Sequence, residues 1–239
     1  MSYLIIGASS GLGRALAEEY ASAGNELVLV SRDLRDIEAL AAHLRIRFGV
    51  LTVPLAADLG DTQNLPQLEH ALAQVRPLRG ILLPVGASDA GDRVGLSEEL
   101  LARIVRVNFL NPCQILNALL PRLQGGEVIG FGSVAAIRGR TRNAAYAASK
   151  RALMSYFESL RHWAGETGTA VRFYIPGYLD TNLAFGQDLL FSPADPRRLA
   201  RLVRADTGLT YTRYFPTYWR FVVSLISLLP WSIYRRLRA

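Results

Sequence analysis

The fold is decided by the N-terminal stretch Tyr3-Leu4-Ile5-Ile6-Gly7-Ala8-Ser9-Ser10-Gly11-Leu12-Gly13. A short apolar run, typical of a buried strand, leads into three glycines, and a helical pattern begins at once with Arg14-Ala15-Leu16-Ala17. Glycines at such a turn let the backbone approach a pyrophosphate, whose charge suits the N-terminus of the following helix. A glycine triplet alone also fits a purely structural turn. Its position between a strand and a helix favours dinucleotide binding.

The rest of the chain continues this alternation of strands and helices. Apolar runs throughout the strands are expected when helices cover both faces of a parallel sheet. We therefore predict an α/β fold, a Rossmann-type doubly wound parallel sheet forming one domain over residues 1–206. A C-terminal strand and an apolar helical extension follow at 207–239. The predicted strands are Tyr3–Gly7, Glu26–Ser31, Leu51–Leu55, Gly80–Leu83, Glu127–Phe131 and Ala170–Ile175, and the predicted helices are 12–23, 33–47, 61–75, 97–121 and 145–165.

Composition narrows the class of protein. The first residues lack a basic segment followed by a long apolar run, so no secretory signal is expected. Cys113 is the only cysteine, which excludes an internal disulfide and suits a reducing cytoplasm. The three histidines, His43, His70 and His162, lie far apart in sequence, so we expect no metal site.

The end of the second predicted strand indicates which dinucleotide is bound. An acid there would hydrogen-bond the ribose 2′-OH of NAD(H), whereas an arginine accommodates the 2′-phosphate of NADP(H). Ser31 and Arg32 occupy this place. Asp33 could supply the acid, but it better fits the N-cap of the next helix. We therefore expect NADP(H) to be preferred over NAD(H).

Lys150 is the only lysine of the chain, since the other 26 basic side chains are arginine. It follows Tyr146 by four residues in a predicted helix, which places both side chains on one face, about 5–6 Å apart at Cβ. A free phenol has a pKa of about 10. A nearby ammonium, and the positive charge of an oxidised nicotinamide, favour the phenolate. The pair therefore suits acid–base catalysis near neutral pH.

These motifs together resemble the short-chain dehydrogenase/reductase family over about residues 3–206. The resemblance implies hydride transfer between NAD(P)(H) and a carbonyl or alcohol carbon, with Tyr146 as the acid/base. It also implies that Ser133 donates to the substrate oxygen, that Lys150 holds the cofactor ribose, and that Asn108 orders a water joining Lys150 to solvent. The expected cofactor residues are Gly7, Ser9, Ser10, Gly11, Leu12, Gly13, Ser31, Arg32, Asp58, Leu59, Gly86, Tyr146, Lys150, Pro176, Gly177 and Thr181.

Two positions depart from the family pattern. Ile6 stands where the family usually has threonine, and only Gly86 remains of an Asn-Asn-Ala-Gly motif, in Leu83-Pro84-Val85-Gly86. Loss of that motif removes no proton-transfer group, so catalysis is still expected. A non-catalytic NADP(H)-binding sensor or scaffold is the alternative. It is disfavoured by the presence of the four expected catalytic residues, Asn108, Ser133, Tyr146 and Lys150.

Two segments are candidates for substrate binding. Arg138, Arg140 and Arg142 alternate between Ser133 and Tyr146, and they could clasp a phosphate or carboxylate of the substrate. They could equally point at water or at a partner subunit. The resemblance implies that 182–196 is a lid, in which Phe185 lines an apolar pocket or packs on the core.

The C-terminal segment is basic and rich in aromatic residues. From Arg197 onward there are nine arginines and one acid, within a chain whose formal net charge is +7. The apolar run between Arg220 and Arg235 is interrupted by Pro230, and its length of about 21 Å as a helix is below the roughly 30 Å of a bilayer core. This predicts either an anchor lying on a membrane surface or a helix buried in a homo-oligomer. Nucleic acid is disfavoured, because aliphatic residues interrupt the aromatic ones.

The same segment resembles bacterial members of the family that act on lipid-linked sugars. The resemblance implies an anionic, lipid-linked keto-sugar as substrate, alongside a small-molecule carbonyl as the general case. It also implies a cytoplasmic protein, placed peripherally on the inner membrane surface.

Overall fold

The protein contains a parallel sheet with helices on both faces. The computed structural model describes residues 1–9, 11–60, 65–181, 191–206 and 211–236. The strands are β1 (Ser2–Ile6), β2 (Glu26–Ser31), β3 (Thr52–Ala56), β4 (Leu78–Leu83), β5 (Glu127–Phe131), β6 (Ala170–Pro176) and β7 (Tyr211–Phe215). Within the described part of the chain they pair in parallel in the order β3-β2-β1-β4-β5-β6-β7. The predicted Rossmann-type fold is confirmed, and each predicted strand is present within two residues of its predicted ends.

The helices follow the predicted pattern with three exceptions. They are α1 (Gly11–Ser22), α2 (Leu34–Phe48), α3 (Leu65–Leu72), α4 (Glu98–Val105), α5 (Asn111–Leu119), α6 (Ala144–Thr167), α7 (Pro196–Ala205), α8 (Trp219–Leu228) and α9 (Trp231–Tyr234). The helix predicted over 61–75 ends at Leu72, and residues 61–64 lie outside the described part of the chain. The sequence predicts one helix over 97–121, but a π-helical turn at Arg106–Leu110 separates α4 from α5. It also misses α7, which begins where the Asp195 side chain accepts a hydrogen bond from the backbone N–H of Arg197.

Two apolar cores lie on opposite faces of the sheet, because successive strand residues point to opposite sides. Leu4 and Ile6 of β1 belong to the core that packs against α3, α5 and α6. Tyr3 and Ile5 belong to the core that packs against α1, α2 and α7. Burial on both faces explains why the strands read as unbroken apolar runs.

The strand order reverses at β1, which has β2 on one side and β4 on the other. Ligands of open α/β sheets bind at such a point, outside the carboxyl ends of the strands. Here the loop after β1 lies against the loop after β4. Gly7 has a φ of +92°, and a Cβ at this residue would come within 2.9 Å of Cα of Val85. The two loops therefore meet closely only because residue 7 is glycine.

The C-terminal segment is attached to the sheet rather than separate from it. β7 pairs with β6 along its length, from Arg172 opposite Tyr211 to Pro176 opposite Phe215. The short helices α8 and α9 follow. None of the helices in the described ranges has the length and apolar character needed to cross a membrane.

Candidate active site

The N-terminus of α6 is capped by a residue distant in sequence. Asn143 precedes the helix with a φ of 54° and makes no side-chain cap. Instead, the buried carboxylate of Asp92 accepts hydrogen bonds from the backbone N–H of Ala145 at 2.8 Å and of Tyr146 at 2.9 Å. The backbone N–H of Asn143 donates to the carbonyl of Asp92 at 2.8 Å. Asp92 therefore fixes the turn of helix that presents Tyr146.

Sequence reasoning missed Asp92 as a site residue. Its partners lie 53 and 54 residues further along the chain. Capping motifs are recognised by a spacing of three residues, so this contact left no local signal. The acid's place in the loop after β4, at the carboxyl edge of the sheet, was the available indication.

Lys150 is buried on α6 and bridges two strand ends. Its ammonium donates to the carbonyl of Val85 at 2.7 Å and to that of Phe131 at 3.1 Å. Val85 follows β4 and Phe131 ends β5, so the lysine joins the two loops. Desolvation by burial lowers the pKa of Lys150 to about 8. Its charge is therefore sensitive to groups that bind beside it.

Tyr146 and Ser133 interact at the carboxyl edge of the sheet. Ser133 follows β5, and its hydroxyl accepts from the N–H of Ala135 at 3.1 Å. Burial raises the pKa of Tyr146, whereas a hydrogen bond with Ser133 and the positive charge of Arg140 lower it. The sequence predicts that Lys150 lowers this pKa. The Lys150 ammonium donates to two carbonyls, and Arg140 is a cation that lowers the pKa of the phenol. That Lys150 also lowers this pKa stays a prediction.

Asn108 lies in the π-helical turn and is completely buried. Its side chain pairs with the backbone of Ala87, accepting from the N–H at 2.7 Å and donating to the carbonyl at 2.8 Å. It also donates to the Ser149 hydroxyl at 3.1 Å. These contacts fasten the loop after β4 to α6, next to Lys150. That Asn108 orders a water remains a prediction.

The glycine-rich loop lies against Thr181, a residue far along the sequence. Gly11 has a φ of +52°, and a Cβ there would lie 2.9 Å from Cγ2 of Thr181. A Cβ at Gly13 would collide with the carbonyl of Gly7. The two glycines thus let the loop pack closely on its own chain at the start of α1, the helix end that suits a pyrophosphate. Leu12 is buried in the core, and Ser10 lies outside the described residues.

The expected adenosine side of the site is formed by the ends of β2 and β3. The Ser31 hydroxyl donates to that of Ser9 at 2.7 Å, while Arg32 is exposed. Asp33 caps α2 by accepting from the N–H of Arg35 at 2.9 Å, which confirms the capping interpretation. This use of Asp33 leaves Arg32 as the charged side chain beside the strand end.

The loop after β3 places its two expected cofactor residues differently. Asp58 is exposed and accepts from the N–H of Gly60 at 2.8 Å. Leu59 is buried, and its carbonyl accepts from the side chain of Asn111. The Leu59 side chain therefore packs in the core, so its backbone and the neighbouring Asp58 are the groups of this loop that a ligand can reach.

The expected nicotinamide side of the site lies after β6. Pro176 ends the strand, and the N–H of Gly177 donates to the carbonyl of Phe215 at 2.8 Å. The indole of Trp219 fills the space that a Cβ at residue 177 would need. On the β4 side, a Cβ at Gly86 would stand 3.6 Å from the Lys150 ammonium. Glycine at 86 and 177 thus keeps both sides of the site narrow.

The three candidate substrate arginines occupy different positions. The Arg138 guanidinium donates to the carbonyls of Ile226 and Leu229, at 2.7 Å each, and lies 4.0 Å from the ring centroid of Tyr234. This differs from the prediction that Arg138 binds a phosphate or carboxylate of the substrate, because its guanidinium is hydrogen-bonded to backbone carbonyls of the C-terminal segment. Arg142 is exposed. Arg140 is half-buried, and its charge reaches Tyr146. The structure thus brings one of the three to the reacting centre.

The predicted lid lies mostly outside the described residues, and Phe185 is among those left out. Phe191, at its C-terminal side, packs against Tyr218 and Trp219, with ring centroids 5.7 and 5.1 Å apart. The lid segment therefore ends against the start of α8.

Comparisons with known proteins agree with this geometry. A family model described as short chain dehydrogenase matches residues 2–188. Dehydrogenase/reductase SDR family member 7B of Bos taurus is 31% identical over 190 residues, which cover 76% of this chain and 58% of that protein. An uncharacterized oxidoreductase of Myxococcus xanthus is 32% identical over 190 residues, covering 77% and 75%. The chain therefore spans less than two thirds of the bovine relative's length.

A solved structure gives the same result for the fold. The short-chain dehydrogenase from Sphingobium yanoikuyae, in complex with NADPH, superposes with a TM-score of 0.81, covers 97% of both chains, and is 26% identical in sequence. The glycine-rich loop, the Ser133–Tyr146–Lys150 cluster and the family model point to one assignment. This chain belongs to the short-chain dehydrogenase/reductase family.

Proposed function

We propose that the protein is an NADP(H)-dependent oxidoreductase that interconverts a carbonyl and a secondary alcohol by hydride transfer. The observation that supports this best is the convergence of Ser133, Tyr146 and Lys150 where β4, β5 and α6 meet. Val85, whose carbonyl accepts from Lys150, packs on Gly7, so the cluster lies beside the glycine-rich loop between β1 and α1. A loop of this kind at a helix N-terminus suits a pyrophosphate.

Bound NADPH supplies the hydride to the carbonyl carbon. The negative charge that develops on the substrate oxygen needs a proton, and the Tyr146 phenol donates it. The Ser133 hydroxyl provides a second hydrogen bond to the same oxygen, in the manner of an oxyanion hole. Arg140 stabilises the phenolate that remains, because its positive charge lowers the pKa of Tyr146.

Lys150 holds the cofactor in this scheme. An ammonium has three N–H donors, and within the described residues two of them point at Val85 and Phe131. The third is available to a ribose hydroxyl. The two carbonyls fix the direction of that third donor, so a guanidinium of different shape would not replace it.

The preference for NADP(H) rests on Arg32. Its guanidinium is exposed at the end of β2, while Asp33 is used as a helix cap. An arginine at this place accommodates a 2′-phosphate. The Ser31–Ser9 hydrogen bond adds two hydroxyls nearby. We therefore expect kcat/KM for NADPH to exceed that for NADH.

The substrate class proposed is an anionic, lipid-linked keto-sugar. Arg140 supports the anionic part, since it is the loop arginine whose charge reaches Tyr146 and its Nε has no partner among the described residues. The exposed apolar tail supports the lipid-linked part. A homo-oligomer and a peripheral position on the inner membrane surface are the two expectations that this tail raises.

The test is NADPH oxidation against a panel of carbonyl compounds that pairs neutral ketones with phosphorylated and lipid-linked keto-sugars. We expect turnover that is higher for the anionic members and higher with NADPH than with NADH. NADPH binding without turnover of any member would favour the alternative, a non-catalytic sensor or scaffold.

A further inference from the structure

Helix α8 has three distinct faces. Trp219 and Val223 are buried, and Arg220 and Ser224 lie on a polar face. A third face is apolar and exposed, because positions 218, 221, 225 and 228 recur at intervals of three, four and three residues. Together with two residues of α9 we call this surface the outer stripe. Its members and their exposed fractions are Tyr218 40%, Phe221 65%, Leu225 66%, Leu228 81%, Trp231 65% and Ile233 50%.

The charged residues of the segment that carries the outer stripe, 211–236, are all arginines. Arg220, Arg235 and Arg236 are exposed beside the stripe, and residues 211–236 contain no aspartate or glutamate. Arg213 is not part of this surface, since it is ion-paired with Asp206 at 3.0 Å. A contiguous apolar stripe rimmed by charged residues marks an interaction site.

We infer that the outer stripe binds the surface of an anionic lipid bilayer, with α8 lying in the interface. α8 has 10 residues, so its length of about 15 Å is half of a bilayer core. Exposed tryptophan and tyrosine are suited to the headgroup region, and arginines to anionic headgroups. The inference rests on the proposed function, whose lipid-linked substrate it deepens by naming the surface that meets the bilayer and the charge of the lipid.

A second copy of the chain fits this surface less well. A two-fold contact centred on the stripe places the same patch of both copies in contact. Both copies of that patch carry Arg220, Arg235 and Arg236, with no acidic side chain in residues 211–236 to neutralise them. Like charges across an interface oppose association. Anionic headgroups neutralise them instead.

The contacts behind α8 couple the outer stripe to the active site. Arg138, five residues after Ser133, donates to the carbonyls of Ile226 and Leu229 and so holds the C-terminus of α8. At the other end, Trp219 packs on Gly177 and on the ring of Tyr178, at a centroid distance of 5.5 Å. A bilayer bound to α8 would therefore lie beside both loops that flank the site.

Vesicle flotation of the full-length protein tests this inference. Vesicles of phosphatidylcholine alone are compared with vesicles that also contain phosphatidylglycerol. We expect flotation with the anionic vesicles, a clear reduction at high salt, and loss of flotation in the Leu225→Ser/Leu228→Ser variant. The matched control is Ile46→Ser, which removes an exposed aliphatic side chain of α2, 87% exposed. It is expected to float like the unmodified protein.

Activity on a water-soluble ketone separates this inference from the proposed function. The outer stripe does not contact the reacting groups, so the double variant retains that activity if both proposals hold. No flotation of the unmodified protein with anionic vesicles overturns the inference. The inference is also overturned if the unmodified protein does not float but is a dimer by light scattering, and the double variant is a monomer. That outcome assigns the stripe to contact with a second copy.

Discussion

The carboxylate of Asp92 accepts a hydrogen bond from the backbone N–H of Tyr146 at 2.9 Å. The contact spans 54 residues of sequence and ties the loop after β4 to the first turn of α6. Tyr146 is thus held by its own backbone, while its hydroxyl interacts with Ser133. The position of the phenol depends on an acid that is not itself a reacting group.

Replacing Asp92 with alanine is expected to lower kcat more than it changes the Kd for NADPH. The helix loses two capping hydrogen bonds, which costs about 0.5–2 kcal/mol of stability, and Tyr146 moves from its position. Steady-state kinetics and denaturant unfolding measure both effects. Ser97→Ala is the control, because Ser97 caps α4 by accepting from the N–H of Leu100. An equal loss of kcat in both variants would show that destabilisation alone explains the result.

The lowered pKa of Lys150 predicts a pH-dependent stability. The folded-state pKa is about 8 and the ordinary value is 10.5. Between these values the native protein binds fewer protons than the unfolded chain, so stability rises with pH over this range. The difference in unfolding free energy between the unmodified protein and Lys150→Met should change by roughly 3 kcal/mol from pH 8 to 10.5, in favour of the unmodified protein. A difference that does not change with pH would contradict burial as the cause.

Arg140 is expected to influence the titration of Tyr146. Its positive charge lowers the pKa of the phenol, so Arg140→Gln raises that pKa. The pH profile of kcat/KM reports such groups in the free enzyme, and its limb for Tyr146 should move to higher pH. Arg142→Gln removes an exposed arginine of the same loop and should leave the limb in place. Equal shifts in both variants would indicate a general charge effect.

A buried ion pair far from the site is expected to matter for stability alone. Arg172 and Glu127 form a salt bridge with side-chain exposures of 1% and 13%. Removing one partner of such a pair costs about 3–5 kcal/mol, because the other charge stays buried. We expect Glu127→Gln to lower the unfolding free energy by an amount of this order. The exposed pair Arg122–Glu69 is the comparison, and Glu69→Gln should cost less than about 1 kcal/mol.

Much of this fold could be predicted from the sequence, because its signals are local. Strands β1 and β2 could be predicted from their own apolar residues, without knowledge of the strands they pair with. The glycine positions 7, 11 and 13 followed from the strand–turn–helix order. Asp33 was recognised as a cap because its partners, Arg35 and Asp36, are its immediate neighbours.

The features that escaped prediction depend on distant contacts. Arg138 was expected at the substrate, but its acceptors on Ile226 and Leu229 lie 88 and 91 residues away. The α-helix predicted over 97–121 is interrupted around Asn108, whose side chain hydrogen-bonds to the backbone of Ala87, 21 residues earlier. Helical periodicity does not reveal this turn, because π-helical turns are rare single-turn insertions with no pattern of their own.

The most direct test of the account is the reductase activity of Tyr146→Phe, measured with NADPH and the best carbonyl substrate of the panel. Binding of NADPH is followed in the same samples by its fluorescence. Loss of the proton donor should reduce kcat by about 100- to 10,000-fold, while the Kd for NADPH stays close to that of the unmodified protein. A Tyr146→Phe variant that turns over at the normal rate would contradict the assignment of Tyr146 as the acid/base.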